Sequence, residues 1–249
     1  MGGSLKNVRV LVTFALGGEL GPWRRQARFC AESRGGIEAY RKRQGSLDVV
    51  AFITGAGMAN AGQVAARVLA EERWDLVISS GLAGGLRPEF GPGTVVVARK
   101  VVRWEDGCEL VPSEKWTELA VAQGAREVTM VSSNRVAQTV REKQLLGETA
   151  ETVEMESFAV LEAAAARGIP AAAIRAVSDA VEGDLPLDFG RVFDARGRVR
   201  GRALAGQLVR KPAAIGGLVR LAGASRRAAK NLGEFLERYV GAAEARFSQ

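Results

Sequence analysis

The chain has 249 residues, 47% of them apolar and 25% charged, enough to bury a full core in one α/β domain of ordinary size. It contains no histidine, which excludes Ser-His-Asp and Cys-His catalysis. Its two cysteines, Cys30 and Cys108, make a poor zinc site and fit a reducing cytoplasm. The formal charge of +7 is lopsided: residues 189–249 hold 13 Lys or Arg against 4 Asp or Glu, so the first 188 residues are near neutral.

In chain order, Val8–Phe14 is a short apolar run rich in β-branched residues and predicts a buried strand. Leu47–Thr54 predicts a second, ending in Gly55-Ala56-Gly57, with a helix over residues 60–73. Trp74–Ser80 is a third, closed by Gly81-Leu82-Ala83-Gly84-Gly85. Gly93–Val102 is a fourth and Glu127–Val131 a weaker fifth. Glu151–Met155 and Ala171–Val177 complete the set, with a helix over Ser157–Arg167 between them and a long loop over 180–201. Strands alternating with helices predict a mostly parallel mixed sheet in a three-layer α/β/α sandwich. No run reaches eighteen uninterrupted apolar residues, so no membrane span is expected. The first residues, Met1–Lys6, lack the apolar core of a secretion signal.

Two acids fall where such a sheet binds ligands, at the carboxyl ends of strands. One lies in Val153-Glu154-Met155-Glu156-Ser157, the other in Val177-Ser178-Asp179. The glycine clusters are weak signals singly: neither completes a dinucleotide fingerprint or a phosphate-binding P-loop. Glycines there let the backbone turn sharply and approach a ligand. Together with the two acids they predict a pocket.

The ordered set Thr54–Gly57, Ser80–Gly85, Val153–Ser157 and Ser178-Asp179 resembles the nucleoside phosphorylase and nucleosidase superfamily over roughly residues 8–180. Within it the chain resembles the methylthioadenosine/S-adenosylhomocysteine nucleosidases. It is closer still to the hopanoid-associated phosphorylases, which share a run like Asn134-Arg135-Val136, Lys143 and Leu145 and a stretch like Leu185–Gly190. The resemblance implies cleavage of the N-glycosidic bond of an adenosine-type nucleoside with a modified 5′ group, adenosylhopane among the candidates. Asp179 would be the general acid that gives base N7 a proton, its carboxyl kept protonated by burial, with Ser178 positioning it. Glu156 would bind the ribose hydroxyls and favour a cationic sugar, and Met155 would pack on the ribose face. Leu82, Ala83, Gly84, Val136 and Glu154 would complete the substrate site. Glu19, just after the first strand, matches the water-activating glutamate of the nucleosidases; the alternative for it is a helix-starting acid.

This sequence departs from the nucleosidase pattern at Ser132-Ser133-Asn134, where Ser-Gly-Asp is usual, at Val136 in place of a larger apolar residue, and at Leu82 in place of a small hydroxyl residue. Those changes bear on the base. Hydrolysis is favoured because Glu19 would repel phosphate; phosphorolysis, with phosphate as co-substrate and Arg24, Arg25, Arg87 or Arg103 as its cradle, is the alternative, as is a non-catalytic nucleoside- or nucleic-acid-binding protein. Aromatic residues for base stacking are scarce in the basic segment, which argues against nucleic acid. No cofactor or metal is implied, and family members form dimers or larger homo-oligomers.

Residues 190–249 read as a basic helical extension of a single domain spanning 1–249. Ile215, Leu218, Val219, Ala222, Leu232, Phe235, Leu236 and Tyr239 fall at helical spacing, with Arg220, Arg226, Arg227 and Lys230 between them, and Pro212 suits a helix start. The segment predicts either a helix packed on the sheet or a second subunit, or one lying on an anionic membrane surface and presenting a lipid-linked nucleoside to a cytoplasmic protein.

Overall fold

The computed structural model describes residues 7–181, 185–187, 200–211 and 214–247. Its elements are β1 (Val8–Phe14), α1 (Gly17–Gln26), β2 (Cys30–Arg34), β3 (Ile37–Gln44), β4 (Leu47–Ile53), α2 (Met58–Glu71), β5 (Leu76–Gly85), β6 (Val95–Arg103), β7 (Glu109–Leu110) and α3 (Glu114–Ala122), followed by β8 (Arg126–Ser132), α4 (Val140–Gly147), β9 (Thr152–Glu154), α5 (Ser157–Ala165), β10 (Ala171–Asp179), α6 (Gly201–Arg210) and α7 (Ala214–Phe247). One mixed sheet runs β10-β6-β8-β9-β5-β1-β4-β3-β2, and β10 also pairs with β5. Strands β10, β6, β8, β9 and β5 therefore close into a ring, from which β1, β4, β3 and β2 extend.

The layering follows from alternation. On β1, Val10, Val12 and Phe14 point into a core built with α1 and α7, while Leu11 points into a second core with α2 and α5. On β10, Ala172, Ile174 and Ala176 face the α7 side, and Ala171, Ala173 and Val177 the other. Period-2 patterning buried on both faces is what parallel strands between helices require. The strand expected to end at Ser80 continues to Gly85. The glycine cluster after it is therefore sheet rather than turn, and Gly84 and Gly85 pair with Val153 and Thr152 of β9.

Strands β2 and β3, which hydrophobic patterning did not predict, carry polar faces at the sheet edge and are joined by Gly35-Gly36, both at positive φ. That dipeptide is a hairpin signal. Helix α4 was also unread, although Thr139 caps it by accepting from the Glu142 N–H at 3.2 Å, and the Glu142 carboxylate accepts from the Thr139 N–H at 2.9 Å; Thr-x-x-Glu is a capping box.

Helix α7 has 34 residues and is about 50 Å long. Its two halves differ. From Ala228 to Ala243 it supplies Leu232, Phe235, Leu236 and Tyr239, all buried, to the core. At about 1.5–3 kcal/mol each, these four contribute as much as the lower range of a domain's net stability, about 5–15 kcal/mol. The first half keeps Ile215 and Val219 52% and 68% exposed. Pro212, Asp188–Gly190 and most of the loop expected over 180–201 lie outside the described residues. Among the described residues, no helix is long and apolar enough to cross a membrane.

Candidate active site

A cavity of about 710 Å³ opens at the carboxyl ends of β5, β9 and β10, large enough for a small-molecule ligand. Glu19, Leu82, Ala83, Gly84, Val136, Glu154, Met155, Glu156, Ser178 and Asp179 all line it, so every candidate site residue of the sequence converges there. Ser133, Asn134, Lys143, Trp104 and Leu185 share the wall. Arg24, Arg25, Arg87 and Arg103 do not. Arg24 stacks over Tyr40, and Arg103 stacks over Phe158 and pairs with Asp106.

Glu19 stands in the first turn of α1 and serves both of its readings. Its Oε2 accepts from the Leu16 N–H at 3.1 Å, capping the helix, and its Oε1 accepts from the Leu82 N–H at 3.2 Å. By accessible surface the residue is only part-buried, because it faces the cavity. Its carboxylate is nevertheless packed round by protein, and that burial raises its pKa against the opposing pull of Arg175 and the Leu16 and Leu82 N–H groups.

Opposite lies a cluster held by a residue that the sequence reading passed over. Arg175 interrupts the apolar run of β10 and is 1% exposed. Alternation puts it on the α5 side. There its Nη2 donates to Glu154, to the Ser157 hydroxyl at 3.0 Å and to the Ser79 hydroxyl at 3.2 Å, and lies 3.5 Å from Glu156. Its Nε and Nη1 are buried and meet no hydrogen-bond partner among the described residues. A lone charge in a buried strand run was the available signal, since such a residue is almost never fully buried unless paired. Gly81, at φ +146°, makes room: a Cβ there would lie 2.5 Å from Arg175 Nη1 and 3.1 Å from Glu19 Oε2.

The two glutamates of the cluster diverge. Burial would raise Glu154, but Arg175, the Ser132 hydroxyl and the N–H groups of Glu156 and Ser157 outweigh it and hold that carboxyl below its ordinary range. Glu154 is thus a fixed anion that shapes the β9–α5 turn. Glu156 receives one backbone N–H, from Gly57 at 2.9 Å. Its burial, with Glu154 and Glu19 nearby, overcomes Arg175 and pushes its pKa up to about 7.

At the far end of the cavity the register of β10 against β5 shifts between Val177 and Asp179. Such a bulge re-aims side chains. Ser178 Oγ lies 2.8 Å from Asp179 Oδ1 and 3.2 Å from the Ala83 carbonyl, to either of which it can donate. Lys143 of α4, fully buried, donates to Asp179 Oδ2 at 2.6 Å and to the Ala180 carbonyl at 2.7 Å.

Fold and cavity together define an α/β protein that gathers carboxylates from several elements around one small-molecule site. A family model described as the phosphorylase superfamily matches residues 9–210, and the chain belongs to that superfamily. It is 35% identical over 129 residues to a futalosine hydrolase of Streptomyces coelicolor, a match covering 43% of this chain and 55% of the relative, about half its length. The fold is similar to that of a futalosine hydrolase of Helicobacter pylori (TM-score 0.74, 16% identity, 94% of this chain and 98% of that one). It is likewise similar to a methylthioadenosine/S-adenosylhomocysteine nucleosidase from Neisseria meningitidis in complex with methylthio-immucillin-A (TM-score 0.71, 21% identity, 93% and 98% of the two chains).

Proposed function

We propose that this protein hydrolyses the N-glycosidic bond of a purine nucleoside. The observation that carries the reading is the convergence of Glu19, Glu156 and Asp179, from three separate elements, on one cavity. Glycosidic cleavage builds positive charge on the sugar and negative charge on the departing base. Glu156 accepts from the ribose hydroxyls and its charge favours the cationic sugar, while Met155 packs against the ring. Glu19, with a carboxyl raised by burial, takes a proton from the attacking water. Asp179, oriented by Ser178, protonates the base as it leaves.

The charge of the wall supports water over phosphate as acceptor. Glu19, Glu142, Glu154, Glu156 and Asp179 face it, against Arg135 and Lys143. A phosphate dianion would meet repulsion there, and among the described residues no cradle of several arginines lines the wall.

The first half of α7 supports a substrate with an apolar 5′ group, a lipid-linked nucleoside such as adenosylhopane. Between Ala214 and Gly233 the chain carries no acid and four Lys or Arg: Arg220, Arg226, Arg227 and Lys230. Gly217 packs on Pro186, next to the cavity-lining Leu185. A basic amphipathic surface at the cavity rim suits an anionic bilayer.

The test is release of free base from adenosine, methylthioadenosine, S-adenosylhomocysteine and an adenosylhopane-containing lipid extract, each with and without phosphate. Phosphate-independent release is expected. Release only with phosphate would make the protein a phosphorylase, and no release from any substrate would sink the reading.

A further inference from the structure

We propose that Lys143 supplies the proton that Asp179 passes to the leaving base, a role that rests on the base-cleaving reading above. Lysine is almost never fully buried unless paired, and taking its ammonium out of water costs several kcal/mol that an ion pair offsets only with good geometry and further hydrogen bonds. A leucine or methionine would fill the same place on α4 without that cost. Lys143 instead reaches out of the helix to Asp179, 36 residues away in the chain.

The pair changes the problem of acid catalysis at this site. A solitary carboxyl must hold its own proton until the base departs. Paired with an ammonium at 2.6 Å, it can draw one at the moment of reaction. Moving the proton from Nζ to Oδ2 converts an ion pair into an amine and a carboxylic acid with no change in net charge. Ser178 meets Oδ1 and Lys143 meets Oδ2, so each carboxyl oxygen has its own partner and the carboxyl plane is fixed.

The C1′–N9 bond breaks and its electron pair goes to the base. Base N7 takes the Asp179 proton, Asp179 takes one from Lys143, and water adds to C1′ while losing a proton to Glu19. After the products leave, Glu19 returns its proton to solvent and the Lys143 amine regains one. The sum is nucleoside plus water giving ribose and free base.

The test compares two leaving groups. One is adenosine or methylthioadenosine, whichever the wild-type chain cleaves faster; the other is the 4-nitrophenyl riboside with the same 5′ group, whose nitrophenolate departs without a proton. Lys143→Met keeps the length of the chain and removes the charge; Lys143→Gln keeps a donor but no mobile proton. Both variants are expected to lose on the order of 10²–10⁴ in kcat on the nucleoside, with KM little changed, and to keep most of their activity on the nitrophenyl riboside. An equal fall on both substrates, or full recovery in the glutamine variant, would reduce Lys143 to a packing role and overturn the proposal. Circular dichroism shows whether each variant is folded, and the glutamine variant reads the question if the methionine one is not. If the wild-type chain cleaves both compounds and the variants leave their ratio unmoved, the inference alone falls. If it cleaves neither, the base-cleaving reading falls first.

Discussion

At the end of the cavity formed by the β9–α5 turn, Glu154, Glu156 and Glu19 share the field of one guanidinium, that of Arg175. At the end formed by β10 and α4, Asp179 has the ammonium of Lys143 at 2.6 Å. The first arrangement leaves negative charge in excess, and Glu156 answers by holding its proton to about pH 7. The second sets one ammonium against one carboxylate. Excess negative charge suits a site that must stabilise a developing cation, whereas a balanced pair suits one that must move a proton. One cavity thus holds two electrostatic regimes, with Arg175 and Asp179 four positions apart on β10.

The largest effect should come from removing the shared cation. Arg175→Met leaves buried carboxylates without their partner, and breaking a buried pair in this way costs about 3–5 kcal/mol; urea midpoints would show it. An unchanged midpoint would mean that the carboxylates do not depend on the guanidinium. Asp179→Asn should lower turnover by about 10²–10⁴ while calorimetry still detects nucleoside binding, and loss of binding instead would place Asp179 in recognition rather than proton transfer.

The charge excess also predicts a pH dependence. A carboxyl whose folded pKa lies above its unfolded value of 4.5 stabilises the fold below pH 4.5 and loses that contribution as pH rises towards 7. Glu156→Gln cannot ionise. Its melting temperature, relative to wild type, should therefore climb by a few degrees between those limits; a flat difference would assign the excess charge elsewhere. At the Asp179 end, Ser178→Ala removes one hydrogen bond, worth about 1 kcal/mol, and should slow turnover roughly fivefold. Smallest of all, Ile215→Ser with Val219→Ser should shift stability by under about 0.5 kcal/mol and leave cleavage of small nucleosides unchanged. Binding to anionic vesicles should weaken, and vesicle binding as strong as wild type would remove the membrane role from α7.

What could be read from the residues followed from chemistry that is local. Apolar β-branched runs located β1, β4, β6, β8, β9 and β10 to within two residues, and β5 except for its last five. The order of the glycine and acid motifs, seen against a known family, selected ten residues that the fold brings to one cavity. Other local signals were present but outweighed: the capping box of α4 and the Gly-Gly turn between β2 and β3 are short-range features, lost among charged residues that patterning treats as loop.

The tertiary structure decided the rest, because it depends on which distant groups meet. Nothing in Ala171–Val177 says that Arg175 will be shared by acids from two other elements, since a lone arginine in an apolar strand can be buried only if its partners come from elsewhere. The bulge at Ser178 and the reach of Lys143 across 36 residues exist only once β10 and α4 are packed. Helix α7 makes the same point along one element. Its amphipathic spacing continues through both halves, yet only the half that meets the sheet is buried. Periodicity determines that a helix has an apolar face, and what covers that face is settled by the neighbours that the fold supplies.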